Sequence, residues 1–145
     1  MARRVMNRPP QVTQGTGYKC WAAALQSWLS VTPDRPRWTQ EQLLVSSQMF
    51  LGTYANHLPE GAINADIFKK MAVDDTLSLR MAWEEIPANE GPADDYMYQT
   101  LLMNGYLLVM YSVDPQISNV RHGVVVWAAD DDGNLAVMNP TKGLT

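Results

Sequence analysis

The chain has 145 residues, enough for one well-cored domain and too few for two ordinary ones. Apolar residues make up 46% and charged residues 18%, which excludes a disordered or coiled-coil chain, and the net charge of −4 argues against a nucleic-acid partner. The basic pair Arg3-Arg4 is too short to reverse that, no apolar run reaches the roughly 18 residues that span a bilayer, and the first residues lack the apolar stretch of a signal peptide.

Arg8-Pro9-Pro10-Gln11 cannot stay helical, so residues 1–13 read as an extended lead-in. From Cys20 to Val31 there is no Gly or Pro, and good helix formers predict a first helix that Thr32-Pro33 stops. Thr39-Gln40-Glu41-Gln42 has capping-box spacing and predicts a second helix ending at Gly52. The stretch 53–61, with Asn56-His57-Leu58-Pro59, reads as a loop. Ile63, Ile67, Phe68 and Met71 fall at helical spacing and predict a third helix to Val73, while Leu77 to Trp83 alternates and predicts a strand. A fourth helix is predicted over 93–103, with Asp94 and Asp95 in its first turn and Asn104-Gly105 as its stop, and Tyr106 to Val113 as a buried strand. The methionines at 49, 71, 97, 103, 110 and 138, and the tryptophans at 28, 38 and 83, are assigned to the core.

Val120 to Trp127 and Asn134 to Asn139 are β-rich runs around the turn signal Asp130-Asp131-Asp132-Gly133, which predicts an antiparallel hairpin. His122 and Asn139 then fall at the open end of the hairpin, on adjacent strands roughly 5 Å apart. The turn aspartates lie eight residues along the strand from His122, roughly 26 Å at ~3.3 Å per residue, too far to orient its ring. Asn139 can hold one ring nitrogen and leave the other for chemistry. The other histidine, His57, sits in a Pro- and Gly-bearing loop without an orienting partner nearby in sequence.

Cys20 is the one cysteine, so no internal disulfide is possible and a reducing cytoplasm is the expected place of synthesis. It stands where the first helix begins, and unpaired N–H groups at a helix N-terminus favour a thiolate. A lone cysteine also fits the core as a small hydrophobe. Gln14, six residues upstream across a Gly-punctuated turn, can bring its amide back beside the thiol to hold a developing oxyanion.

Gln14-Gly15, four residues, then Cys20-Trp21-Ala22 resembles the active-site segment of papain-like cysteine peptidases. In that superfamily the glutamine amide and the cysteine's own N–H form the oxyanion hole, and the chain order of cysteine, histidine and asparagine is the order of Cys20, His122 and Asn139. The ending His122-Gly123-Val124-Val125-Val126 and Val137-Met138-Asn139-Pro140 is closer to the small bacterial members, namely the bacteriocin leader peptidases and the papain-like effector proteases injected into other cells. Leader peptidases usually carry Asp-Pro where this chain has Asn139-Pro140, and Cys20-Trp21-Ala22-Ala23 favours the effector group.

The resemblance implies one papain-like α+β domain over residues 1–145, an N-terminal helical half packed on a C-terminal antiparallel sheet. It implies a cysteine protease in which Cys20 is the nucleophile, His122 the acid and base, Asn139 the orienter and Gln14 the oxyanion donor, with a thiolate–imidazolium pair at rest. Trp21, Gly123 and Trp127 are assigned to substrate contact, although both tryptophans also fit plain packing. No metal or other cofactor is expected, since no cluster has ligand spacing and no Gly-rich loop follows a strand. The expected partners are a protein substrate and an inhibitor or immunity protein, because Cys20 lies too near the start for a folded inhibitory pro-segment; delivery into a target cell would also restrain the activity. Other acyl transfers, such as glutamine deamidation or transglutamination, and a catalytically silent binding module are the rival readings.

Overall fold

The computed structural model describes residues 2–14, 19–55, 58, 61–84, 94–112 and 121–141. Among these residues four helices and a four-stranded antiparallel sheet make an α+β fold, with α1 (Cys20–Val31), α2 (Gln40–Ser47) and α3 (Ala65–Val73) preceding most of the sheet. A short strand, β1 (Arg3–Val5), comes first; α4 (Tyr96–Asn104), β2 (Leu107–Ser112), β3 (Arg121–Asp130) and β4 (Leu135–Met138) complete the order.

The sheet is built around β3. Val125 and Val126 pair with β2 and also with β4, so those two strands take opposite edges. Ala128 and Ala129 pair with β4 and also with β1, which puts β1 and β2 end to end along one edge. Both faces of β3 are covered. Val125 belongs to the main core with Trp21, Leu25, Leu29, Leu43, Ile67 and Met138, whereas Val126 joins Leu101 of α4 and Ala129 in a second cluster. Burial on two faces explains why Gly123 to Ala129 is a continuous apolar run and not an alternating one. The hairpin turn is closed by Asp130, whose carboxylate accepts from the N–H groups of Asp132 and Asn134 and from the Asn134 amide, and Gly133 supplies a φ of +91°.

Helix α1 is buried almost all round, from Cys20 through Leu25 and again at Ser27, Trp28 and Leu29, as befits a helix with apolar residues on every face. It ends where Pro33 forces Thr32 into an extended conformation. The Thr39–Gln42 capping box forms as predicted, with Thr39 Oγ1 accepting from the Gln42 N–H and Gln42 Oε1 from the Thr39 N–H. The helix stops sooner than its apolar pattern suggests. Ser47 turns its hydroxyl back onto the Leu44 carbonyl, and short 3-10 turns at Gln48–Phe50 and Gly52–Tyr54 follow. Helix α3 is capped by Asn64, whose side chain accepts from the Ile67 N–H. Gly105, at φ +79°, ends α4 by returning its N–H to the Leu101 carbonyl.

The strand predicted over 77–83 does not form. Ser78 and Arg80 take left-handed φ values of 52° and 49°, which breaks the alternation. The carbonyls a sheet neighbour would have taken go to side chains instead: Trp38 Nε1 donates to the Leu77 carbonyl, and Arg35 donates to those of Leu79 and Arg80 while lying over the Trp28 ring. Leu77 and Leu79 are buried all the same. Strand β2 is half-buried, not fully buried as predicted, because it lies on the sheet edge. Met71 and Met138 fill the core, but Met49, Met103 and Trp83 are exposed, so periodicity alone misplaced those three. His57 and Ala93, and parts of the predicted 53–61 loop and the strand end at Val113, lie outside the described residues.

The lead-in is tied to both halves of the fold. Its β1 pairs with β3, the Met6 N–H donates to the Trp127 carbonyl, and the carbonyls of Asn7, Pro10 and Thr13 accept from Tyr106, Ser27 and Gln40. The tightest contact between the halves is at Gly123. A Cβ there would lie 3.1 Å from the Trp21 Cα and 3.3 Å from the Ala24 Cβ of α1, and 3.0 Å from Met110 Sδ of β2. Gly123→Ala should therefore cost about 1–3 kcal/mol by pushing α1 off the strand. Urea denaturation measures this, and an unchanged midpoint would show that the helix yields without strain.

Candidate active site

Cys20 is the first residue of α1, and Lys19 before it makes no side-chain cap. The Ala22 and Ala23 N–H groups bond the Lys19 carbonyl, while those of Cys20 and Trp21 lie near the Cys20 sulfur and favour its anion. The Gly123 N–H from β3 reaches the same sulfur. Tyr111, the register partner of His122 on β2, is also within electrostatic reach of it. The residue after His122 along the strand and the residue beside it across the sheet both interact with Cys20, so the nucleophile candidate sits at the His122 end of β3.

His122 and Asn139 meet as the hairpin predicts, with Nε2 3.1 Å from Asn139 Oδ1. The amide orientation follows from a second donor, the Thr141 N–H, 3.0 Å from the same oxygen. Oδ1 is therefore an acceptor, Nε2 must carry the proton, and the neutral ring keeps its lone pair on Nδ1. Thr141 also reaches the other amide of the site: its hydroxyl donates to Gln14 Oε1 at 3.5 Å. The Gln14 N–H donates to the Pro140 carbonyl, and Gln11 Nε2 to the Asn139 carbonyl, so the lead-in holds the segment that carries Asn139. Thr141 and Gln11 gave no sign of this in the sequence, because a single Thr or Gln carries no spacing pattern.

The substrate-contact assignments fare differently. Trp21 is fully buried, with Nε1 donating to the Gly61 carbonyl at 2.8 Å, which places it in the core beneath the nucleophile. Gly123 is used up by the helix on one side and by the sulfur through its N–H. Trp127 stands at the β-bulge between Val126 and Ala128, five residues and roughly 16 Å along the strand from His122. Gly15 and Gly17, the turn glycines, lie outside the described residues. Among the described residues no group of three or more His, Cys, Asp or Glu side chains could hold a metal ion, and no helix is long and apolar enough to cross a membrane.

Electrostatics depart from expectation. Burial pushes the Cys20 thiol above its ordinary value, against the pull of the Gly123, Trp21 and Cys20 N–H groups. Burial likewise holds the His122 imidazole below its ordinary value, against the Asn139 hydrogen bond. Each direction by itself favours the neutral form, a thiol at Cys20 and an imidazole at His122, whereas the helix N-terminus alone points to a thiolate. Desolvation outweighs the helix end here, since Cys20 is only 7% exposed.

For stability, the depressed His122 value means that the unfolded chain takes up a proton first, so its contribution is present above about pH 6.5 and is lost as the pH falls towards the folded value. The raised Cys20 value contributes below about pH 8.5 and is lost as the pH rises through the folded value. The thermal midpoint should fall on both sides of a neutral plateau, less steeply on the acid side in His122→Gln and on the alkaline side in Cys20→Ser; calorimetry across pH that shows equal limbs in all three would contradict it. Alkylation of Cys20 by iodoacetamide should still be accelerating at about pH 9, whereas a plateau from about pH 6 would mean a preformed thiolate. The site rests on the chain's own geometry: no family model, curated protein or solved structure matches it.

Proposed function

We propose that this protein is a cysteine peptidase of the papain-like kind, hydrolysing a peptide bond in a protein substrate. The observation that carries the reading is the His122–Asn139 hydrogen bond with its amide locked by Thr141, at the end of β3 where the next residue's N–H touches the Cys20 sulfur. A core histidine needs a partner, but it has no need of an amide locked by a second donor or of a thiol at the next residue's N–H.

The chemistry follows from the neutral resting pair. As Cys20 Sγ attacks the substrate carbonyl carbon, its proton passes to His122 Nδ1, so the thiolate exists only while the C–S bond forms. The carbonyl oxygen, now negative, takes hydrogen bonds from the Cys20 N–H and Gln14 Nε2. Collapse breaks the C–N bond, Nδ1 returns the proton to the departing amine, and a thioester remains. Water then attacks the thioester with His122 again taking a proton, which releases the acid and restores the thiol. Asn139 keeps Nε2–H in place throughout and stabilises the imidazolium that each step creates. An inhibitor or immunity protein that restrains the enzyme in its producer, and delivery to a foreign cytosol, belong to the same proposal.

N-terminal proteomics on a lysate exposed to wild-type protein or to Cys20→Ala tests the reaction. New protein termini that appear with wild type alone are the expected result; glutamines about one mass unit heavier without new termini would replace hydrolysis with deamidation on the same thiol. With a cleaved substrate identified, Gln14→Ala should lower kcat by roughly 10²–10³. Asn139→Ala should lower it by about one to two orders of magnitude through loss of ring position.

A further inference from the structure

One hydrogen bond does not fix an imidazole. Held only at Nε2, the His122 ring can pivot about that contact and carry Nδ1 away from the sulfur. A second contact is needed, and the sheet supplies it. Tyr111 is directly opposite His122 in the β2–β3 register, and the two rings meet nearly at right angles, with centroids 5.3 Å apart and an interplanar angle of 76°. Aromatic rings hold this edge-to-face arrangement because the positive edge of one meets the negative face of the other. Tyr111 is also well placed to cover its partner, being 43% exposed on the sheet edge while His122 is 9% exposed behind it.

We propose that Tyr111 is a positioning residue, its ring setting the rotation of the His122 imidazole so that Nδ1 stays on the Cys20 side while Nε2 holds Asn139. The proposal rests on the peptidase reading of the site. Two features favour the ring over the hydroxyl as the working part. The phenol is kept in its protonated form by burial first and by the nearness of Cys20 second, so it brings no charge to His122. The contact recorded with His122 is between rings. A tyrosine in this place also keeps water from the side of the imidazole that faces solvent, in line with the depressed His122 value.

Tyr111→Phe and Tyr111→Leu separate ring from hydroxyl, and Tyr111→Thr, suited to an exposed strand, replaces the leucine variant if that one fails to fold. Two readouts are taken: kcat and KM on the cleaved substrate, and the NMR signals of the His122 ring, whose carbon-bound protons the tyrosine should shift upfield and whose Nε2–H should exchange slowly. The expected result is that Phe keeps kcat within about twofold and keeps both signals, while Leu loses kcat by roughly tenfold at unchanged KM, together with the upfield shift and the slow exchange. A folded Leu variant with wild-type kcat and slow exchange overturns the proposal. So does a Phe variant as impaired as Leu, which would assign the work to the hydroxyl. If wild type cleaves nothing, the peptidase reading fails, and the exchange rate alone then decides: retention in Leu rejects positioning, and loss supports it.

Discussion

The close contact between α1 and β3 is the constraint on which the site depends. Two surfaces without bulk meet there, Gly123 on the strand and Ala24 with the Trp21 backbone on the helix, and the lack of a side chain at Gly123 lets its N–H reach the Cys20 sulfur. A larger residue at either place would separate Cys20 from the histidine strand while leaving each element intact. Since β3 is paired on both edges and covered on both faces, its position is fixed by the whole molecule. His122 inherits that rigidity, as a preorganised site requires.

Around this contact the fold builds a site of neutral groups. Among the described residues, the partners named for the imidazole and the sulfur are amides and N–H groups: Asn139, with Thr141 and Gln14 behind it, and the N–H groups of Cys20, Trp21 and Gly123. A full charge placed among them before substrate arrives would be desolvated without strong compensation. Dipoles suit a reaction in which charge appears only in passing, because they stabilise it without being neutralised by it.

What could be read from sequence was local or periodic. The α1 start, the Thr39 capping box, the Gly105 stop and the β3–β4 hairpin are each signalled within a few residues, and the hairpin alone was enough to bring His122 to Asn139. The failures have a common source. Leu77 to Trp83 alternates as a strand should, but the Arg35 and Trp38 side chains take its carbonyls, and sequence does not reveal which distant side chain will compete for a backbone group. Trp21 fitted both packing and substrate contact, and helical geometry turns it inward onto Gly61. The direction of the thiol's acidity was missed likewise, since the helix terminus is visible in sequence and the depth of burial is not.

The pairing of Arg3 with Asp130 has a consequence for how the molecule comes into being. A ribosome releases the first strand and helix α1 long before the strand that both of them require, so the nascent chain must carry a sticky apolar helix and an unmatched strand edge until β3 emerges. The contact of His122 with Asn139 cannot form until both strands of the hairpin have left the exit tunnel. Late closure of the sheet is thus a built-in delay between the emergence of Cys20 and the assembly of the groups around it.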